Sequence, residues 1–127
     1  MILLAKTHAN LGELDQARTW CEKAIGFEKL NPELYYLLST IHQSANDLDA
    51  AITSVKQAIY LDAGFIMAHF MLGMLFARKN RGLESAKSMN TALSLLRLKD
   101  PEDVLEFAEG MTVSRLVETI KSMTARD

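Results

Sequence analysis

The chain repeats itself every 34 residues. Ala24, Ala58 and Ala92 stand one period apart, and so do Leu4, Leu38 and Leu72. The same step links Ile25, Ile59 and Leu93, then Phe27, Leu61 and Leu95, then Cys21, Val55 and Met89, then Ala17, Ala51 and Ser85. These columns keep small residues with small and large with large, and no insertion or deletion interrupts them. A period of this size marks a solenoid, in which no unit buries its apolar face alone and each stacks on the next.

Each unit reads as helix–turn–helix. Its first helix carries a large residue, then Leu, then a small residue, at helical spacing: Tyr35, Leu38 and Ser39 in the second unit, His69, Leu72 and Gly73 in the third. The small residue admits a partner helix, and the alanines at 24, 58 and 92 mark the matching tight crossing. The turn between helices holds Gly12, Asn46 and Asn80, residues that tolerate a left-handed backbone. Asn31-Pro32-Glu33 is a helix start, with an N-cap, proline at the first helical position and an acid in the first turn. Caps and periodicity predict helices at 2–11, 14–28, 32–45, 48–61, 66–79 and 82–97. This pattern resembles the tetratricopeptide repeat, although the proline that often ends a unit is replaced by Lys29, Ala63 and Arg97. The resemblance implies an all-α chain: three such repeats (1–31, 32–65 and 66–97, together 1–97) in a right-handed superhelix. The first repeat lacks about three residues of the unit and has no N-cap, which suggests a domain cut from a longer protein.

After Leu98 the period stops. Residues 98–111 form either an acidic linker or a short helix over 101–109, with Val104, Leu105, Phe107 and Ala108 as its apolar face and Gly110 as its C-cap. Residues 112–127 form a C-terminal amphipathic helix. Thr112 caps it, Val113, Leu116, Val117, Ile120 and Met123 make one apolar face, and Met111 and Leu116 are placed for a hydrophobic staple.

The segment Leu34-Tyr35-Tyr36-Leu37-Leu38, Ile41-His42-Gln43 and Asp47-Leu48-Asp49-Ala50-Ala51-Ile52 is similar to the C-terminal repeat extension of bacterial chemotaxis-receptor methyltransferases of the CheR type. So are Ala58-Ile59-Tyr60-Leu61-Asp62, Phe65-Ile66-Met67-Ala68-His69-Phe70 and Leu72-Gly73, and the tail Gly110-Met111-Thr112-Val113-Ser114-Arg115-Leu116-Val117-Glu118. The resemblance implies a parent enzyme that methylates receptor glutamates from S-adenosylmethionine, with this part as its regulatory or docking module. The alternative is a generic repeat scaffold or adaptor from an unrelated assembly.

The residues point to no chemistry of their own. The glycines stand apart, so no glycine-rich loop follows a strand to hold a cofactor, and no Ser–His–Asp grouping has supporting spacing. No catalytic, cofactor-binding or metal-binding residue is expected. His8 and His42 share a column with Phe76, so that slot takes a ring for packing rather than a metal ligand. Cys21, aligned with Val55 and Met89, reads as a buried small hydrophobe. Asp47 and Asp49 suit a helix start, and Arg78, Lys79 and Arg81 complement a helix end. A formal net charge of −2 and one short basic cluster argue against nucleic acid. The longest apolar run near the start, Met1 to Ala5, is too short for a membrane span. A lone cysteine fits the reducing cytoplasm.

What remains is protein or peptide binding. The concave face, lined by first helices, would present Lys6, Tyr36, Thr40, Gln43, Met67, Phe70, Met71, Met74 and Arg78. Ile2, Lys6, Thr40, Phe70 and Met74 occupy the places where some such proteins grip a C-terminal carboxylate, and only Lys6 has the chemistry, so a carboxylate clamp is not expected. The helix over 66–79 is apolar nearly all round, and its second stripe calls for a cover. Candidates are the neighbouring repeat, the chain's own C-terminal helix, a second copy, or a chemotaxis protein. Residues 98–111 span roughly 45 Å when extended, so the expectation is that 101–109 shields the open end of the third unit while 113–123 packs on the concave side.

Overall fold

The computed structural model describes residues 13–124. Six α-helices and no strand occur among them: α1 (Leu14–Phe27), α2 (Pro32–Ser44), α3 (Leu48–Leu61), α4 (Ile66–Arg78), α5 (Gly82–Leu96) and α6 (Val113–Thr124). The predicted helix at 2–11, with Gly12, His8 and Lys6, lies outside the described residues. The chain packs as two compact units, one running to Ala68 and the other from His69 onward.

Helix limits follow the caps. The Asn31 side chain accepts the Glu33 N–H at 3.0 Å, with Pro32 at the first helical position of α2. Asp47 does the same for α3 through the Ala50 N–H at 3.2 Å. Asn46 and Asn80 both take left-handed backbone, at φ 59° and 60°. At each, the helix closes with one hydrogen-bond pattern: Asp47 N–H to the His42 carbonyl and Asn46 N–H to that of Gln43, repeated as Arg81 to Phe76 and Asn80 to Ala77. This satisfies the last carbonyls of α2 and α4.

In the first unit α2 packs against both α1 and α3. Ala17, Cys21, Leu37, Leu38 and Ile41 form a core cluster, with Trp20 and Ile25 against it. Ala24, Ala58 and Ala92 are all buried, as the tight-crossing reading requires. In the second unit Gly73 lies under Met89. A Cβ on Gly73 would stand 2.9 Å from Met89 Cε, closer than real Cβ atoms approach, and a tight 3.0 Å from its Cγ.

The tail differs from the sequence expectation. Residues 101–109 form no helix. Asp100 folds the chain back by accepting the Glu102 N–H at 3.0 Å, and Phe107, Glu109 and Gly110 take φ of 67°, 53° and 83°. A right-handed helix admits none of these. The segment is instead a tight loop, closed by an antiparallel bridge between Val104 and Thr112 and a 2.8 Å bond from the Val113 N–H to the Asp103 carbonyl.

Thr112 caps α6 as expected, its hydroxyl accepting the Arg115 N–H at 3.2 Å. The helix packs on α5, the last helix of the period, with Val113, Leu116 and Ile120 buried. Leu93 and Leu96 of α5, at the end expected to need a cover, are buried as well. So 113–123 lies against the last helix of the period, where 101–109 was expected. The physical reason is that a loop pinned at Asp103 and Val113 delivers α6 beside the helix from which the loop departs.

Candidate functional site

On α2, Tyr36, Thr40 and Gln43 recur at helical spacing and all are half-buried. Tyr36 is fixed by its neighbour Phe65, with ring centroids 5.1 Å apart and planes 27° from parallel. The Thr40 hydroxyl donates to the Tyr36 carbonyl one turn back at 3.2 Å, which spends its donor within the helix. This face is polar and largely settled. Sequence reasoning did not single out Phe65. A signal existed: it stands one period after Asn31, so an aromatic occupies the place where the previous unit has a capping residue.

The corresponding face of α4 is different. Met67, Phe70, Met71, Met74 and Arg78 fall on one stripe, and exposure rises along it. Met67 is only 7% exposed, so its side chain is covered and takes no part in an open surface. Phe70 and Met71 are half-buried, Met74 is 42% exposed, and Arg78 is exposed at the last turn. The opposite side of the helix supplies the core with Leu72, Leu75 and Phe76, and His69 is buried too. Lys6, the remaining residue of the expected groove, lies outside the described residues.

Groups with chemical potential are otherwise engaged. Cys21 is a buried free thiol that donates to the Leu34 carbonyl at 3.3 Å. Burial, with a smaller contribution from the Glu22 carboxylate, pushes it up to about 11, which keeps it a protonated thiol rather than a nucleophile. Arg81 pairs with Glu84 at 3.8 Å across the first turn of α5. Among the described residues no three His, Cys, Asp or Glu side chains come together to hold a metal ion. No helix among them is long and apolar enough to cross a membrane.

A chain of helix pairs with buried small residues at each crossing, and a partly apolar first-helix face beside them, is a helical-repeat scaffold. Residues 1–29 and 32–65 match the family model of the tetratricopeptide repeat, and the chain is an all-helical protein built of such repeats. No curated protein sequence matches it. Several solved structures share the fold. The type III secretion translocator chaperone SycD of Yersinia enterocolitica superposes with a TM-score of 0.82 at 18% identity, over 99% of this chain and 86% of that one. PcrH, solved with the chaperone-binding region of PopD, gives 0.79 at 12% identity, over 98% and 85%. MamA of Desulfovibrio magneticus gives 0.72 at 22% identity, over 76% of this chain and 54% of that one.

Proposed function

We propose that this chain is a non-catalytic interaction module, a scaffold or adaptor that holds a segment of another protein against the first-helix face of α4. The observation that carries this is the open apolar stripe of α4, where Met74 stands 42% exposed next to half-buried Phe70 and Met71. Methionine side chains suit adaptable contact with a partner segment. Structural relatives support the reading, since SycD has been solved with a peptide of the translocator YopD and PcrH with a region of PopD. The free thiol of Cys21 suits a reducing compartment such as the cytoplasm.

The narrower reading, a docking domain of a chemotaxis-receptor methyltransferase, rests on the resemblance over 34–76 and 110–118 alone. Nothing among the relatives links the chain to such enzymes, and the adaptor reading takes precedence. The test is site-specific photo-crosslinking in cells, with a benzophenone amino acid at Met74, at Thr40 and, as a control, at Gln57 on the exposed side of α3. Position 74 should give a protein adduct that position 57 does not. Equal products at both positions, or none at 74, would sink the reading.

A further inference from the structure

The stripe on α4 has a charge at one end. Phe70, Met74 and Arg78 follow one another at intervals of four residues, so they stack on three successive turns of one face, with Met71 beside them. The equivalent positions of α2 are Tyr36, Thr40 and Ser44, so the combination of apolar surface and terminal cation belongs to α4 alone of these two helices. Arg78 is exposed, in the last turn, one turn beyond Met74. The chain's own tail is not the natural cover for this stripe. The apolar residues Val113, Leu116 and Ile120 of α6 are already buried, and that helix packs on α5.

We propose that the segment held on α4 comes from another protein, seats two apolar side chains on Phe70, Met71 and Met74, and places an Asp or Glu carboxylate about one helical turn further along, against Arg78. This rests on the adaptor reading and deepens it by fixing the chemistry of the partner. An apolar anchor supplies contact area, whereas the carboxylate sets direction. A segment laid the opposite way brings its acid over Met67 and Phe70, away from the guanidinium, so charge decides which end of the partner lies at the end of α4.

The experiment is selection from a phage-displayed library of random dodecapeptides on the whole chain, on Arg78→Gln and on Arg78→Glu. Both substitutions fall at an exposed helical position, and Gln keeps helix propensity. Thermal unfolding by circular dichroism checks that each variant is folded. The wild-type chain should enrich peptides with paired apolar residues followed by Asp or Glu. Arg78→Gln should lose the acidic preference and keep the apolar one, and Arg78→Glu should select Lys or Arg there. For a synthetic peptide from the wild-type selection, replacing its acid by the amide should weaken binding about fivefold at low salt, as for an exposed ion pair. That gap should narrow in high salt.

Apolar peptides enriched without an acidic preference, or an acidic preference that survives Arg78→Gln, would overturn the inference and leave the adaptor reading standing. Enrichment unaffected by Met74→Glu, or no enrichment at all, would remove both. Self-association of the chain that Arg78→Glu abolishes would assign the face to a second copy and overturn the choice of a foreign partner.

Discussion

The Ser39 hydroxyl donates to the Ala51 carbonyl at 2.8 Å, and both residues are buried. One period later the same two columns hold Gly73 and Ser85, and the bond runs the other way: the Ser85 hydroxyl donates to the Gly73 carbonyl at 2.7 Å. Each crossing thus keeps one hydroxyl and one bare partner, but the hydroxyl sits on the first helix in one unit and on the second helix in the next. Close approach demands that both residues be small, and the added bond ties the two helices at the point where they meet.

This reciprocity is testable. Ser39→Ala should cost about 1 kcal/mol, the net value of one buried hydrogen bond, since the Ala51 carbonyl keeps its place in the helix ladder. Adding Ala51→Ser should recover most of that loss, because the new hydroxyl would face the carbonyl of position 39 as Ser85 faces Gly73. Urea unfolding of the two variants decides it. A double variant no more stable than Ser39→Ala would show that the two crossings are not interchangeable.

Two glycines should respond to alanine with opposite sign. Gly73→Ala drives its Cβ into Met89, which is buried and has little room to yield. The expected cost is about 1–3 kcal/mol, reduced by the better helix propensity of alanine. A Cβ added at Gly26, in the last turn of α1, would meet nothing within 4 Å, and Gly26→Ala should stabilise by up to about 1 kcal/mol. Combining Gly73→Ala with Met89→Val should cost less than the sum of the two single changes. Additive losses would mean that the contact is not the cause.

Cys21 should be inert in the native chain. With its thiol pushed up to about 11, only about one molecule in a thousand carries the thiolate at pH 8. Ellman's reagent should react slowly until denaturant is added, then at once. The sign of the pH effect follows from the native value lying above the ordinary 9.0. The contribution of the protonated thiol is fully present below pH 9 and is lost as pH rises through about 11. Stability measured against Cys21→Ala should therefore fall in that window relative to the variant; a constant difference from pH 8 to pH 11 would contradict it.

Ending the chain after Gly110 should expose Leu93 and Leu96, which are buried in the intact protein. Binding of a hydrophobic dye should rise and thermal unfolding should shift downward, since terminal repeats need a cover. Within the intact chain, Ile120→Ala should cost about 2–4 kcal/mol as a fully buried side chain lost from the α5–α6 contact. Unchanged dye binding and melting in the truncated chain would make α6 a dispensable end.

The period of 34 residues was enough to place α1 to α5 within a residue of their observed ends, because the turn residues Asn46 and Asn80 and the caps Asn31 and Asp47 act through the local backbone. The buried alanines were legible for the same reason: a solenoid repeats its packing, so one column predicts the next. Thr112 as a cap and the apolar face of α6 were readable from neighbouring residues alone. Where that helix goes was not. The composition of 98–111 fitted a helix and a linker equally, and only the closure of Asp103 on Val113 across the loop decided between them. The stacking of Phe65 on Tyr36 and the graded exposure from Met67 to Arg78 also depend on tertiary packing. Helical spacing fixes which residues share a face, whereas their cover is set by elements distant in sequence.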